Sequence, residues 1–260
     1  MSKPLILISN DDGIMAAGVH NLIDFLATSV DAELAVVCPD SPCSGKSASI
    51  TCDGPLKITR LENYRGARMW SVSGTPVDCV KLACHEILRG RKIDLMLAGI
   101  NHGSNSAVSV TYSGTMGTVM EACLRGVPAV GFSLLDHSLS ADFSGCRGVV
   151  TSVTRTVLEA GLPEGVCLNV NIPAKCKPKG LKTVCGARGY WSEEFKKYLD
   201  PQGRPFYWLT GSFHNLEPDN PETDEYWLKR GWATAVPVRI DLTAKECVAP
   251  LKALLRDIDQ

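Results

Sequence analysis

Short apolar segments that end in polar residues recur along the chain, and they constrain its fold more than any other feature of the sequence. Residues 5–8 form the first such segment and residues 33–38 the second, with Leu22, Phe25 and Leu26 between them at helical spacing. An apolar segment of this length is typical of a strand buried on both faces, as in a parallel sheet. The order strand, helix, strand therefore predicts a right-handed crossover between two parallel strands.

The same alternation continues to residue 160 of the 260-residue chain. The sequence predicts helices over residues 20–29, 77–89 and 114–125, and further strands at 57–59, 69–72, 94–98 and 129–133. Strands that alternate with helices in this way indicate an α/β fold. We therefore predict a Rossmann-like, doubly wound, mostly parallel sheet for residues 1–160.

Residues 161–260 have a less regular pattern. Strands are predicted at 167–172, 181–185 and 233–240, and a helix at 244–256. Residues 200–223 are rich in Pro, Gly and polar residues with aromatic interruptions, and a long irregular segment of this kind is typically functional or exchanged between subunits. We predict one domain over 1–260, with an oligomerisation arm at about 190–240 and a terminal helix.

The charge distribution and the cysteines exclude several classes of function. The formal net charge is −1 and no run of Lys or Arg exceeds two residues, which disfavours binding to duplex nucleic acid or to a membrane. The first apolar segment is too short for a secretory signal, and none approaches the ~20 residues of a membrane span. The eleven cysteines include no C-x-x-C pair, so we expect small buried side chains in a reducing compartment, the cytoplasm, rather than a zinc site.

The residues that follow three of the predicted strands form a set of hard oxygen donors. Asp11 and Asp12 follow the first strand, Ser44 the second, and Asn101 the strand at 94–98. Loops after parallel strands meet at one edge of a doubly wound sheet, and such oxygens suit Mg²⁺, Mn²⁺ or Ca²⁺. Each residue alone also fits a turn or a helix cap, but two adjacent carboxylates at the mouth of a buried strand repel each other unless a cation neutralises them.

A second ligand-binding pattern precedes the helix predicted at 114–125. Its residues are Ser113, Gly114 and Thr115. The free N–H groups of a helix amino terminus, the small glycine and the two hydroxyls together suit a phosphate group, although an ordinary N-cap has the same composition. His102 is a weaker candidate for a catalytic base, because a lone histidine in a loop usually faces solvent.

Taken together, these segments resemble the SurE family, the stationary-phase survival 5′-nucleotidases, also called acid phosphatase SurE. The matching segments are Ile-Ser-Asn-Asp-Asp-Gly at 8–13, Pro-Asp with Ser-Gly and Ser at 39–47, Gly-Thr-Pro with Asp-Cys-Val at 74–80, Gly-Ile-Asn at 99–101 with Gly103 and Asn105, and Tyr-Ser-Gly-Thr at 112–115. They occur in the family's order over residues 5–135. A weaker likeness extends through Asn-Val-Asn-Ile-Pro at 169–173 to the late strand.

The resemblance implies a divalent-metal-dependent phosphatase that hydrolyses nucleoside 5′-monophosphates to nucleoside and phosphate. It implies one divalent ion per subunit, Mg²⁺ or Mn²⁺, with Ca²⁺ possible in a crystal, and a homodimer or homotetramer that exchanges its C-terminal portion. By the resemblance the metal ligands would be Asp11, Asp12, Ser44 and Asn101, with Asp11 and Asp12 also catalytic, and the phosphate ligands would be Asn105, Ser113, Gly114 and Thr115.

Two segments beside this expected site depart from the family's pattern. Met-Ala-Ala-Gly at 15–18 stands where the family often has a His-Ala-Pro-Gly type of sequence, and His-Gly-Ser-Asn at 102–105 varies a loop that is often rich in Gly and Pro. Both departures bear on substrate preference more than on the chemistry.

Three alternatives follow from the residues themselves. A phosphatase of the haloacid dehalogenase type would need a D-x-D spacing, whereas the two aspartates here are adjacent. A metal-dependent hydrolase of another ester or amide usually recruits histidines and zinc, and the five histidines are scattered. A nucleotide-binding sensor without turnover is a third alternative, although G-x-G-x-x-G is absent after the first strand.

Overall fold

A computed structural model describes residues 3–138, 140–174 and 177–255 of the protein. Its strands, in chain order, are β1 (Leu5–Ser9), β2 (Glu33–Pro39), β3 (Ile58–Arg60), β4 (Arg68–Val72), β5 (Leu95–His102), β6 (Ala129–Leu134), β7 (Val166–Ile172), β8 (Leu181–Thr183), β9 (Gly189–Ser192), β10 (Phe195–Leu199), β11 (Pro205–Leu209), β12 (Ser212–Asn215) and β13 (Ala233–Arg239). Its α-helices are α1 (Ala17–Ala27), α2 (Pro76–Leu82), α3 (Gly114–Leu124), α4 (Arg147–Ala160), α5 (Asp224–Leu228) and α6 (Val248–Leu255).

Nine strands form one sheet in the order β3-β4-β2-β1-β5-β6-β7-β13-β8. Neighbouring strands are parallel except at the β3–β4 and β7–β13 pairs, which confirms the predicted mostly parallel α/β fold. The chain builds outward from β1 to β2 and then returns to place β5 on the other side of β1. This reversal lies between β1 and β5, and ligands bind beyond the carboxyl ends of the strands at such a switch point.

Helices cover both faces of the sheet and bury two separate apolar cores. On one face α1 and α4 pack with side chains such as Leu22 and Val150 against the strands, and on the other α2 and α3 pack with side chains such as Val80 and Val119. Strand residues alternate between these cores, so that Ile6 faces the first and Leu7 the second. Both faces of the central strands are therefore buried, which is why those strands are continuous apolar segments in the sequence.

α2 begins where the Gly-Thr-Pro turn predicts, with a complete capping box. The Thr75 hydroxyl accepts from the Asp78 N–H (3.1 Å), and the Asp78 carboxylate accepts from the Thr75 N–H (2.9 Å). The helix is shorter than the predicted 77–89, because it passes into a π-helical turn over Ala83–Ile87.

The structure differs from the sequence prediction at three other places. Residues 99–102 were assigned to a loop, but they continue β5 past an irregularity in its pairing with β6. α4 was not predicted at all, because its many Val and Thr residues resemble those of a strand. The segment 200–223, predicted to be irregular, contains β11, β12 and the first residues that lead into α5.

Two antiparallel ribbons, β9 with β12 and β10 with β11, form the region between β8 and α5. Every residue of β10 and β11 is exposed. The predicted terminal helix at 244–256 is present as a 3₁₀ turn followed by α6, and its last residue, Arg256, lies outside the described residues. Within the described ranges no helix is long and apolar enough to cross a membrane. Six of the ten described cysteines are buried, as expected.

Candidate active site

Asp11 lies just past the end of β1 and packs directly against the beginning of α3. Its side chain is 3% exposed, and its Oδ1 atom accepts a hydrogen bond from the Thr115 hydroxyl. A Cβ atom added to Gly114 would lie 2.8 Å from the Oδ2 atom of Asp11. The first strand and the helix predicted to bind phosphate therefore meet at Asp11, and only glycine at position 114 permits this approach.

Asp12 is held from the other side of the switch point. Its Oδ2 atom accepts a hydrogen bond from the His102 N–H (3.1 Å) at the end of β5. The His102 ring is fixed edge-on against Phe143, with 4.9 Å between ring centroids. The two adjacent carboxylates are thus oriented by different elements, Asp11 by α3 and Asp12 by β5.

Burial is the main influence on the protonation of both carboxyl groups. It raises the pKa of Asp11 to about 6, with the Thr115 hydrogen bond opposing the rise and the Asp12 charge adding to it. Burial also raises the pKa of Asp12, although the His102 N–H and the nearby His102 and His137 rings offset part of that effect. Two negative charges at this edge of the sheet therefore carry an electrostatic cost, which a bound cation would relieve.

Of the other two expected metal ligands, Asn101 lies near the end of β5 and Ser44 lies in the loop that follows β2. Asn101 is 8% exposed, and its Nδ2 atom donates to the Gly103 carbonyl (2.9 Å), which orients the amide group and its remaining Oδ1 acceptor. Ser44 is exposed. It follows Cys43, whose N–H donates to the Asp11 carbonyl (2.6 Å), so the backbone brings Ser44 alongside Asp11 without an observed side-chain contact.

The donor set fits a hard divalent cation. Over the described ranges, no three His, Cys, Asp or Glu side chains are grouped so that they could hold a metal, so a site here has to use hydroxyl or amide oxygens with the two carboxylates. The Oδ1 atom of the buried Asn10 has no hydrogen-bond partner in this part of the structure, which adds one more unsatisfied oxygen at the end of β1.

Three of the four expected phosphate ligands lie together at the amino terminus of α3. The Ser113 hydroxyl caps the helix by accepting from the Met116 N–H (3.0 Å), and its own proton stays available to a ligand. Gly114 and Thr115 begin the helix, where N–H groups have no partner within the helix. The eleven residues of α3 and this cap make the amino terminus suited to an anion.

Asn105, the fourth expected phosphate ligand, is held more deeply. It is 6% exposed, and its Nδ2 atom donates to the Ser133 hydroxyl (2.8 Å). Its main chain is also bound by Asn169 and Asn171 of β7. The structure therefore places Asn105 at the same edge of the sheet but does not bring its side chain into a described contact with Asp11 or α3.

Several residues that shape this site were not among the candidates predicted from the sequence. Asp224 at the start of α5 is fully buried and accepts from the Ala107 N–H (2.8 Å) and the Ala187 N–H (2.9 Å), and Glu225 accepts from the Ser106 hydroxyl (2.6 Å). A carboxylate pair at the start of a short helix looks like ordinary helix capping in the sequence, so only its contacts distinguish it.

His137 was also missed. Its ring fills the space beside Gly103, where an added Cβ would lie 2.1 Å from the ring, and it follows β6 at the same edge of the sheet. The rule that loops after parallel strands meet at one edge could have identified this position, since 129–133 was predicted as a strand.

Comparison with known proteins gives one consistent result. The family model described as "Survival protein SurE" matches residues 6–193. A 5′-nucleotidase SurE from Christiangramia forsetii is 48% identical over 256 residues, with 96% of each chain covered, and one from Cytophaga hutchinsonii is 45% identical over 253 residues, again with 96% of each covered. The crystal structure of the SurE protein from Aquifex aeolicus superposes with a TM-score of 0.82 at 33% identity, covering 97% of this chain and 100% of that one.

Proposed function

The chain belongs to the SurE family, and from that membership we propose that it is a divalent-metal-dependent 5′-nucleotidase, which hydrolyses nucleoside 5′-monophosphates to nucleoside and phosphate. The observation that carries this proposal is the direct packing of Asp11 on the first turn of α3, through Thr115 and Gly114. The proposed cation site and the proposed phosphate site would thereby be contiguous. A phosphate ester bound at the helix would lie beside the carboxylate pair.

Asp11, Asp12, Ser44 and Asn101 would hold one divalent cation, Mg²⁺ or Mn²⁺, in each subunit. Thr115 and His102 orient the two carboxylates, as hydrogen-bond partners behind metal ligands commonly do. When bound, the cation would supply positive charge that stabilises the transferring phosphoryl group. We propose Mg²⁺ or Mn²⁺ because every donor is a hard oxygen.

The phosphate group of the substrate would be held by Ser113, Gly114, Thr115 and Asn105. The N–H groups at the start of α3 and the Ser113 hydroxyl point donors at oxygens that gain negative charge during the reaction. Ser113 and Thr115 are 5% and 0% exposed, and this burial strengthens the interactions, since water competes less for them. The loop at 39–49 is bound to the residue before Ser113 by the Ser47 N–H, which donates to the Tyr112 carbonyl (3.1 Å).

Asp11 and Asp12 would also act on the attacking water. Burial raises the pKa of Asp11 to about 6 in the metal-free protein, so Asp11 is ionised at neutral pH and would be able to bind the cation and orient the water. Each carboxylate binds the protein through one oxygen in the contacts described above, which leaves the other oxygen for this role.

The experiment is release of phosphate from AMP, GMP and p-nitrophenyl phosphate with Mg²⁺ or Mn²⁺, and again with a chelator. We expect turnover of the nucleotides with metal and none with chelator. Asp12→Asn should lower kcat/KM by a factor on the order of 10³ or more, because it removes a metal-binding and water-orienting carboxylate. Asp31→Asn is the matched control, since Asp31 is exposed and precedes β2 at the opposite edge of the sheet.

Each alternative function gives a different result in the same assay. Tight binding of AMP without phosphate release would support a nucleotide sensor. Turnover of other esters or amides with none of AMP would support a different metal-dependent hydrolase. Turnover of AMP by Asp12→Asn at the wild-type rate would contradict the assignment of that residue.

We also propose a homodimer or homotetramer in which the region of β9–β12, within about 190–240, packs on a second subunit. The proposal is supported by the exposed large apolar side chains of the ribbon formed by β10 and β11, which are Phe195, Tyr198, Leu199, Phe206, Tyr207, Trp208 and Leu209. These side chains are divided between the two faces of the ribbon, and so many exposed apolar side chains on one element are typical of a protein interface. Light scattering of the wild type and of a Tyr207→Ser, Trp208→Ser double variant tests it, with a smaller particle expected for the variant.

The chain would act in the cytoplasm. This proposal is supported by the absence of a described membrane-spanning helix and by the cysteines, all ten of which are free within the described ranges. Fractionation of cells that express the tagged full chain would test the location.

A further inference from the structure

The main chain of Asn105 is buried, and both its N–H group and its C=O group are hydrogen-bonded. The Asn105 N–H donates to the Asn171 Oδ1 atom (2.9 Å), and the Asn105 carbonyl accepts from the Asn169 Nδ2 atom (2.7 Å). The Asn171 Nδ2 atom in turn donates to the Asn169 Oδ1 atom (2.9 Å). These three bonds close a ring, in which two side-chain amides pair with the main chain of Asn105 as a neighbouring strand would.

The ring follows from the alternation of β7. Asn169 and Asn171 are two residues apart, so both side chains leave the strand on the same face, and they are 1% and 0% exposed. Ser133 of β6 lies directly opposite Asn171 in the parallel pairing, and its hydroxyl accepts from the Asn105 Nδ2 atom. We call Ser133, Asn169 and Asn171 the asparagine shelf.

The asparagine shelf lies on the face of the sheet that α3 covers. Cys167, two residues before Asn169, packs in the apolar core formed with α2 and α3, whereas Val170 and Ile172 pack in the opposite core. The shelf therefore supports Asn105 from the side of the sheet on which the proposed phosphate-binding helix lies. This is also the side that a bound phosphate would approach.

The presence of three polar side chains in buried strands needs an explanation, because apolar side chains would pack there without leaving any buried polar group to be hydrogen-bonded. An unpaired buried polar group costs about 1–3 kcal/mol, so the shelf is stable only when all of its groups have partners. The partners are supplied by Asn105, through one side-chain and two main-chain groups. The shelf and Asn105 thus determine each other's conformation.

We propose that Ser133, Asn169 and Asn171 are positioning residues, which hold Asn105 in the orientation that binds the phosphate of the substrate. This inference rests on the proposed function, in which Asn105 is a phosphate ligand. The shelf does not touch the substrate itself. Its loss would weaken the binding of phosphate while leaving the carboxylates, and hence the cation, in place.

The test is Asn171→Leu, which keeps the size of the side chain and removes two bonds of the ring. We expect a rise of at least about 10-fold in KM for AMP, and an equal weakening of competitive inhibition by inorganic phosphate. The affinity for Mn²⁺, measured by calorimetry without phosphate, should stay within about two-fold of wild type, since a merely destabilising change would disturb both sites together.

Thr234→Val is the matched control. Thr234 of β13 lies opposite Asn171 in the antiparallel pairing, is fully buried, and has a hydroxyl with no partner among the residues described. Replacing it removes a buried polar group from the adjacent strand without touching Asn105. Its KM for AMP and its inhibition by phosphate should match those of the wild type.

The outcomes separate this inference from the proposed function. If the wild type releases no phosphate from nucleotides, the proposed function fails. If the wild type is active and folded Asn171→Leu has a normal KM and a normal inhibition constant for phosphate, the positioning role is overturned. Should Asn171→Leu fail to fold, Ser133→Ala decides, because it removes one bond to Asn105; it should raise both constants about two- to five-fold, and unchanged values would overturn the proposal.

Discussion

The amino ends of the parallel strands form one edge of the central sheet, the amino edge, and their carboxyl ends form the other, the carboxyl edge. The pKa of a carboxyl group is lowered at the first edge and raised at the second. At the amino edge, Glu33 begins β2 and is bound by Arg91 (2.7 Å) and Arg68, and the hydrogen bond from Arg91 is the main reason that the pKa of Glu33 is lowered. At the carboxyl edge, burial raises the pKa of Asp11 to about 6, and the pKa of Asp12 is raised as well. Within the described ranges no Lys or Arg forms an ion pair with either aspartate.

This difference separates residues that stabilise the fold from residues that serve a ligand. The amino-edge carboxylates are exposed enough to stay hydrated and are neutralised by the chain's own cations. The carboxyl-edge pair is desolvated and lacks such a cation, so it lowers the stability of the free protein. A bound cation would offset this cost. Such a local conflict with stability is expected at a functional site.

Among the substitutions that test this comparison of the two edges, the largest effect should come from filling the space between Asp11 and α3. Gly114→Ala places a Cβ 2.8 Å from Asp11, so the carboxylate or the helix has to move. Because a displacement of about 1 Å can cost on the order of 10²-fold in rate, we expect kcat/KM for AMP to fall by about that factor. The measurement is steady-state phosphate release with Mg²⁺ in excess.

Gly148→Ala in α4 is the control for this substitution. Nothing lies within 4 Å of a Cβ at Gly148, which is also helical, so alanine should raise the free energy of unfolding by about 0.5–1 kcal/mol and leave kcat/KM unchanged. Wild-type activity in Gly114→Ala would show that the contact between Asp11 and α3 is not needed for catalysis.

The second prediction is that replacing Asp by Asn changes the free energy of unfolding in opposite directions at the two edges. Asp11→Asn should raise the free energy of unfolding by about 1–3 kcal/mol at pH 8 with chelator present, because a pKa raised from 3.8 to about 6 makes the ionised form costly in the folded state. The cost is complete above pH 6 and absent below pH 4, so the gain should disappear in acid.

Asp94→Asn at the amino edge is the opposite case. The N–H of Leu5 donates to Asp94 (2.9 Å) and is the main reason that the pKa of Asp94 is lowered. The substitution removes the negative charge that strengthens this hydrogen bond, so it should destabilise the protein at pH 8. Urea unfolding of both variants at pH 4 and pH 8 gives the comparison. A destabilised Asp11→Asn at pH 8 would contradict the account of the carboxyl edge.

Much of this architecture was predictable, because the central strands are buried on both faces and leave continuous apolar segments in the sequence. β1, β2, β6 and the start of α3 were predicted within about two residues of their observed bounds, as expected for strong periodic signals. The meeting of Asp11 with α3 also follows, since loops after parallel strands share one edge. That rule places residues near each other without giving their contacts.

The features that sequence reasoning missed depend on partners that are distant in the chain. Residues 99–102 have loop-like composition, yet Asn101 and His102 pair with β6 after an irregularity at residues 99 and 100. Asn169 and Asn171 read as polar interruptions of a strand, and only their bonds to Asn105, 64 and 66 residues away, show why they are buried. Local patterns do not contain such information.

The smallest effect concerns the ion pairs of the amino edge. Glu33→Gln should lower the free energy of unfolding by less than about 1 kcal/mol at pH 7, because the side chain is 36% exposed and water screens its pairs with Arg68 and Arg91. Its lowered pKa means that the contribution is present above the unfolded value of 4.5 and is lost as the pH falls below it, so the wild type and the variant should converge in acid. Its kcat/KM should equal that of the wild type, since the residue lies at the opposite edge from Asp11. A loss above about 2 kcal/mol, or one that does not decrease as the pH falls below 4.5, would mean that the two edges do not differ as described.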